Sequence, residues 1–386
     1  MEKATCDALI IGAGPAGTTA AFVLASRGLK VVLLDRRDFP RPKLCGGLLT
    51  WKTIQVLESV FQISPQTLAA NGVVRHATRE YMIADRGRRS VCRTLDYPFH
   101  LVDRQTYDHF WLQHAVSAGA EFHSNSAATA FDLQRREVTT EKGEKWTGRF
   151  IIGADGVNSR VRQALAKAGK IGEPAHSGDT TALECFVPRQ KGSFPNCPAI
   201  YYGYVPWGYG WSFPDPNYQV VLGMAALKPK IGRRLKDCFR EFIESLNLPD
   251  SGPLRIQSHG LPYGNYLGSP GYENILLLGD AAGLADPFLG EGIYYAHRSA
   301  QLAAQAVIES HAHPEAAAGR YRGSFRRIIY PELRYARIGR QIIFSLPPSF
   351  YFPVLAALLR LMPKICEETI QGQRSFKWFR KVAWTS

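Results

Sequence analysis

Five short stretches of this chain carry residues whose types and spacing suit chemistry. The first is Gly12-Ala13-Gly14-Pro15-Ala16-Gly17, which follows the apolar run Ala8–Ile11. In a GxGxxG loop the first glycine permits the tight turn, the second lets backbone approach a pyrophosphate, and the third lets helix and strand pack closely. The helix that starts there offers N–H groups and partial positive charge to phosphates. Asp35 ends the next apolar run 18 positions after Gly17, with Arg36 behind it, where an acid can accept hydrogen bonds from a ribose. Gly153-Ala154-Asp155-Gly156 and Gly279-Asp280-Ala281-Ala282-Gly283 each follow a further apolar strand pattern, and Asp155 suits either a structural turn or a cofactor. In Lys43-Leu44-Cys45-Gly46-Gly47 a thiol sits between a base and paired glycines; such a thiol, with a reference pKa of about 8.5, is mostly protonated at neutral pH and can donate or relay a proton. Finally, Pro206-Trp207-Gly208-Tyr209-Gly210-Trp211-Ser212-Phe213-Pro214 alternates aromatics. On a strand Tyr209, Trp211 and Phe213 share one face, which suits either a sheet core or a wall for a long apolar ligand.

The elements around these stretches read as β-turn-α-β at the start: a helix over 18–27 closed by Gly28, then a strand over 30–34. A helix is expected near 101–118, entered through Asp103, with strands at 150–153 and 274–278 and a long helix over 293–310. Between 180 and 227 short β-rich runs broken by Gly and Pro predict an antiparallel sheet. The expected class is therefore α/β (α+β overall). A discontinuous Rossmann-type domain takes 1–75, 98–172 and 270–315; an inserted β-rich substrate domain takes 76–97 and 173–269; a basic helical region takes 316–386.

Composition narrows the function classes. The 386 residues are 45% hydrophobic and 21% charged, ordinary globular values that exclude a disordered or fibrous chain. Of the net +14, +10 lies in 320–386, where 13 Lys/Arg face 3 Asp/Glu. Such a tail suits an anionic partner. It holds no nucleic-acid recognition motif, so nucleic acid is not expected. Seven widely spaced cysteines without a CxxC argue against a disulfide framework, a zinc cage or an iron–sulfur cluster. No secretory leader is expected before the first strand, and a reducing cytoplasm is the expected home. The uncharged stretch 341–359 is long enough for a membrane span, but Pro347, Pro348 and Pro353 predict two short helices joined by a turn.

The three glycine-rich fingerprints together resemble the p-hydroxybenzoate-hydroxylase-like flavoproteins. Lys43–Gly47 and the PxxYxWxFP match at 206–214 resemble, within that fold, the geranylgeranyl reductase family. The likeness runs in order from Ala8 to about Ser310. It implies non-covalent FAD bound by Gly12, Gly14, Ala16, Gly17, Asp35, Arg36, Cys45, Gly46, Gly47, Arg104, Asp155, Gly156, Gly279, Asp280, Pro287, Gly290, Gly292 and Ile293. It implies a prenyl or prenyl-lipid substrate against Pro206, Tyr209, Trp211 and Phe213, with its isolated C=C bonds reduced by flavin hydride plus a proton. Cys45, Tyr209 or a bound water is then the proton donor. No second GxGxxG marks an NAD(P)H domain, so NADPH, NADH and ferredoxin all remain as electron donors. Such a substrate would be collected from a bilayer, so the basic tail is expected to touch anionic membrane from the cytoplasmic side without crossing it. The rival reading is an FAD-dependent monooxygenase acting on an aromatic, quinone or natural-product substrate. A halogenase would carry WxWxIP, which Trp211-Ser212-Phe213-Pro214 does not match.

Overall fold

The computed structural model describes residues 4–86, 89–172, 180–189, 194–215, 219–227, 232, 234–248 and 254–382. Parts of the expected 173–269 and 316–386 segments thus lie outside the described residues. The architecture is mixed α/β, as expected, and is built on two sheets.

The first sheet runs in spatial order Gly271–Tyr272, Ile275–Leu277, Lys145–Gly153, Ala4–Ile11, Val31–Leu34, Glu121–His123, with Ala128–Asp132 and Glu137–Thr140 attached beside Lys145–Gly153. Its centre is parallel and buried on both faces, which is why these strands read as continuous Val/Ile/Leu runs. Leu34 pairs with Ile11, Ile11 with Gly153, and Gly153 with Leu277. The three fingerprint loops therefore leave one edge of the sheet side by side, the carboxyl edge where open α/β sheets bind ligands.

Helices Pro15–Ala25, Arg104–Ser117 and Ile293–Glu309 pack together over this sheet. Asp103 caps the second of them by accepting from the Thr106 N–H at 3.0 Å. The buried imidazole of His297 ties all three, with Nδ1 2.6 Å from the Thr19 hydroxyl and Nε2 2.7 Å from the Tyr107 hydroxyl. Burial and nearby Arg104 push its pKa down to about 3, so it serves as a neutral core linker.

The second sheet runs Gln257–Gly260, Thr180–Pro188, Gln219–Leu227, Gly208–Asp215, Ala199–Tyr202, Val74–Asp85, Arg89–Val102, Leu48–Leu49. The strands within 180–227 pair antiparallel with one another, as expected, and Ala199–Tyr202 runs in addition parallel to Val74–Asp85, which the sequence did not announce. Pairing across more than a hundred residues leaves no local turn signal from which direction could be read. One face of this sheet is covered by helix Leu235–Ser245 through Cys238, Phe239 and Phe242. The other face carries Tyr209, Trp211 and Phe213.

The uncharged stretch supplies the last turn of helix Tyr330–Phe344 and most of helix Tyr351–Leu361, which are bent by 107° across the proline turn. Among the described residues no single helix is long and apolar enough to cross a membrane. Phe344, Tyr351, Phe352 and Leu359 pack against Tyr81, Ile83, Phe99 and Tyr202 of the second sheet. The C-terminal region also reaches the start of helix Trp51–Phe61 and strand Arg89–Val102. Gln371 accepts from the Trp51 N–H at 2.7 Å and donates to the Tyr97 carbonyl at 3.0 Å.

Candidate active site

The site forms where the carboxyl edge of the first sheet meets the aromatic face of the second. Gly12 and Gly17 make the first loop a bare cradle. Gly12 has φ of 103°, and a Cβ on Gly17 would stand 1.8 Å from the Gly12 carbonyl oxygen. Gly14 occupies the N-cap of helix Pro15–Ala25 with no side-chain cap, so the first N–H groups face outward. Ala16 is buried within that first turn. Asp35 is buried, and its carboxylate is engaged by the N–H groups of Ala13 at 2.7 Å and Arg37 at 2.9 Å. It thus braces the glycine loop, with lone pairs left for a ribose. Arg36 is exposed. Arg41, which the sequence did not single out, puts its guanidinium beside Gly14, where a Cβ would lie 3.7 Å from Nη2. It is anchored 3.4 Å from Asp108.

Asp155 accepts from the N–H groups of Arg160 at 2.7 Å and Val161 at 3.3 Å, so it starts the following helix; Gly156 follows it at φ of 79°. Asp280 sits in the short helical turn Gly279–Ala282, and its carboxylate accepts no hydrogen bond among the described residues. Burial raises its pKa, against the pull of Lys43, Arg104 and Arg162. Arg104 holds Asp108 bidentately, at 2.9 and 3.0 Å. Helix Ile293–Glu309 begins after Gly290-Glu291-Gly292 without a side-chain cap on Gly292. Asp286 shapes the turn through Pro287 by accepting from the N–H groups of Phe288 and Leu289, both at 2.7 Å. Beneath it, buried Lys52 pairs with Glu291 at 2.5 Å, and the Thr50 and Thr53 hydroxyls donate to the same carboxylate at 2.6 and 3.1 Å. No motif flagged this pair.

The aromatic row bridges the two sides. Ring centroids of Tyr209 and Trp211 are 6.2 Å apart, and those of Trp211 and Phe213 6.4 Å. At one end Phe213 presses on Gly46, where a Cβ would approach its ring to 2.4 Å; only glycine lets the Cys45 loop this close. Gly47 then joins Val102 by a backbone hydrogen bond of 2.9 Å. The Cys45 thiol accepts from the Gly47 N–H at 3.4 Å. At the other end the Tyr209 hydroxyl donates to the Leu289 carbonyl at 2.6 Å. Burial holds its pKa well above the usual phenol value, so Tyr209 keeps its proton and acts as a strut. Pro206 lies in the turn that leads into the strand.

These features fit FAD: a bare glycine cradle, an uncapped helix start on either side, and between them a half-buried carboxylate that accepts no hydrogen bond among the described residues. That combination defines a flavin-dependent oxidoreductase. Residues 5–188 match the FAD binding domain family. The chain is 33% identical over 316 residues to the geranylgeranyl diphosphate reductase of Rhodobacter capsulatus, covering 78% of this chain and 75% of that one. It is 27% identical over 351 residues to digeranylgeranylglycerophospholipid reductase 1 of Methanothermobacter thermautotrophicus, covering 85% and 83%. A geranylgeranyl bacteriochlorophyll reductase-like protein from Thermoplasma acidophilum shares the fold, with a TM-score of 0.76 at 20% identity over 96% of this chain and 100% of that one. The chain belongs to the geranylgeranyl reductase family of FAD-dependent oxidoreductases.

Proposed function

We propose that this protein saturates isolated C=C bonds in the prenyl chain of a geranylgeranyl-type diphosphate or lipid. The observation that carries the reading is the row Tyr209–Trp211–Phe213, fixed between the Cys45–Gly47 loop and the Pro287–Gly290 loop. In this reading bound FAD supplies hydride. The backbone of Gly12–Gly17 and the Arg41 guanidinium hold its pyrophosphate, Asp35 its ribose, and Asp280 and the Gly292–Ile293 N–H groups its ring side. Trp211 and Phe213 exclude water and align the chain. An isolated alkene has no carbonyl to stabilise added hydride, so a protein group must place a proton on the other carbon.

A surface cavity of about 620 Å³, lined by Val91, Phe352, Ala356 and Leu361 together with Arg89 and Arg360, offers an apolar recess on the far side of the same cluster. The apolar cluster beneath it continues through Phe99 and Tyr202 to Tyr209. The purified protein is expected to release FAD on denaturation. After anaerobic reduction it is expected to add two hydrogens per double bond to a geranylgeranyl substrate, read by mass spectrometry. Release of another nucleotide, or O₂ consumption that tracks turnover with an oxygenated product, would reverse the reading in favour of the monooxygenase.

The same reading places the C-terminal region on an anionic membrane. Ile338, Ile342 and Leu346 recur every four residues, with exposures of 40%, 65% and 37%, and Phe350 follows at 54%. Exposed Arg334 and Arg337 stand beside them. An apolar stripe with basic neighbours binds an interface by buried area plus headgroup attraction, about 1 kcal/mol for each base near the surface. Co-sedimentation with vesicles containing anionic lipid is expected, weakening at high salt and falling in Ile342→Glu/Leu346→Glu. Removing the segment is the wrong test, because Phe344 and Tyr351 belong to the core. Equal binding to neutral vesicles at high salt, or no binding at all, would dismiss the electrostatic contact.

A further inference from the structure

We propose, building on the alkene-reductase reading above, that Glu184 holds the proton destined for the second alkene carbon. Glu184 lies in strand Thr180–Pro188 and is 4% exposed. It pairs with Gly223, and Gly223 pairs with Trp211. Facing residues of an antiparallel ladder send their side chains to the same face, so Glu184 belongs to the aromatic wall. Nothing intervenes at Gly223: a Cβ there would meet Trp211 Cε2 at 2.2 Å. The indole therefore lies across this glycine, and its buried Nε1 has no partner among the described residues. Two residues along the same strand face, Phe186 joins Lys43, Cys45 and Arg104 in lining a cavity of about 30 Å³.

A carboxyl buried on an apolar wall must find a partner or keep a proton. The carboxyl of Glu184 has no hydrogen bond among the described residues. Burial raises its pKa to about 7, and Lys43 and Arg104 pull in the opposite direction. Gln257 stands directly opposite it on the neighbouring strand, and the titratable and charged groups that face it are few. Lys43 comes from the loop after the second strand and Arg104 from the start of its helix. His259 stands on the neighbouring strand, paired with Ala182 on the same face. Asp280 lies across the interface and shares the two cations. Cys185 follows on the opposite face, where burial pushes its thiol up to about 12. Burial, with Lys43, Arg104 and Arg36, pushes His259 down to about 4, so it is neutral and accepts a hydrogen bond from Lys43. Lys43 and Arg104 are thus the charges that meet a carboxylate once its proton has left.

A proton donor works best with a pKa near the working pH, which favours this carboxyl over the Tyr209 phenol. In the step, the O–H bond of Glu184 breaks and a C–H bond forms at one alkene carbon, with the O–H electron pair staying on the carboxylate. Bound reduced FAD would supply the hydride for the other C–H bond and be oxidised in doing so, and the carboxylate would regain a proton from water.

Glu184→Gln in the holoprotein tests this by three readouts. An infrared carboxyl signal titrating with a midpoint around pH 7 is expected in the wild type and absent from the variant. Alkene reduction by the pre-reduced enzyme is expected to fall above that pH in the wild type. In the variant it should be lower on the order of 10²-fold and independent of pH, with partial rescue by Glu184→Asp. Stability supplies the third. The folded carboxyl binds its proton more tightly than an unfolded one at about 4.3. Its contribution is present below that value and is lost as pH rises through about 7. The variant should therefore gain thermal stability over the wild type above pH 7, and the gap should close in acid. A variant with the wild-type rate and pH profile, or a wild type with no Glu184 signal in that range, overturns the proposal alone. A protein that reduces no prenyl alkene at any pH overturns the parent reading and the role with it.

Discussion

Gly17→Ala is expected to yield protein without FAD. The added Cβ would stand 1.8 Å from the Gly12 carbonyl oxygen and 3.4 Å from the Ala154 side chain. Neither neighbour is the far end of a flexible side chain that could swing away. The first helix would have to lift from the sheet, and its N–H groups would move from the pyrophosphate position. Overpacking a tight contact costs roughly 1–3 kcal/mol in fold stability, and more where backbone must yield. The larger effect falls on the cofactor, because several hydrogen bonds from one helix start are displaced together. Gly28→Ala is the matched control. Gly28 ends the same helix region at φ of 78°, yet a Cβ there meets nothing within 4 Å. It should cost about 1 kcal/mol of backbone strain and keep its flavin. The ratio of flavin absorbance to protein after gel filtration, with a thermal midpoint for each variant, decides it. Stoichiometric FAD in Gly17→Ala would show that the loop tolerates a side chain and that the cradle argument is wrong.

What was legible in the sequence was local. Each fingerprint declares itself in a few consecutive residues because a strand end, a turn and a helix start need particular side chains at fixed offsets. The alternation in Tyr209–Phe213 placed three rings on one face for the same reason. Illegible were contacts that join distant stretches. Lys43 meets His259 across 216 positions, and Thr50 meets Glu291 across 241. Glu184 looks like an ordinary strand residue until Gly223 and Trp211 are placed beside it. His297 sits in a plain helical run, and its role appears only when three helices converge on it. Arg41 lies among arginines and prolines that form no motif of their own. The C-terminal region shows the same limit. Its apolar stretch and proline break were readable, but its docking on the second sheet was not, since either sheet offers an apolar surface to a helix.

Lys52→Ala is expected to be the most destabilising single change near the flavin loop. Burial opposes the charge on Lys52, but Glu291 and Asp286 outweigh it, so its pKa lies above the usual lysine value. The pair is closed: the two side chains are 7% and 8% exposed. Removing one partner of such a pair leaves an uncompensated charge and costs on the order of 3–5 kcal/mol. Here the orphan would be Glu291, which lies between Gly290 and Gly292 at the start of helix Ile293–Glu309. Its two threonine hydrogen bonds would remain, so the loss should sit near the lower end of that range. The consequence for function is geometric. Without Lys52 the carboxylate is drawn toward solvent, and the Gly290–Gly292 backbone that leads into helix Ile293–Glu309 moves with it. Denaturant unfolding should report the lost stability, and the flavin absorption spectrum should report a changed ring environment. Lys52→Met/Glu291→Leu removes both charges and should recover most of the stability, because desolvating the pair offsets much of its attraction. If Lys52→Ala costs less than about 1 kcal/mol, the ion pair behaves as an exposed one and does not fix the loop. If the double variant is as unstable as the single, the loss comes from what Met and Leu cannot replace: the ammonium over the Tyr294 and Tyr295 rings, 4.7 and 5.1 Å away, and the two threonine hydrogen bonds to Glu291.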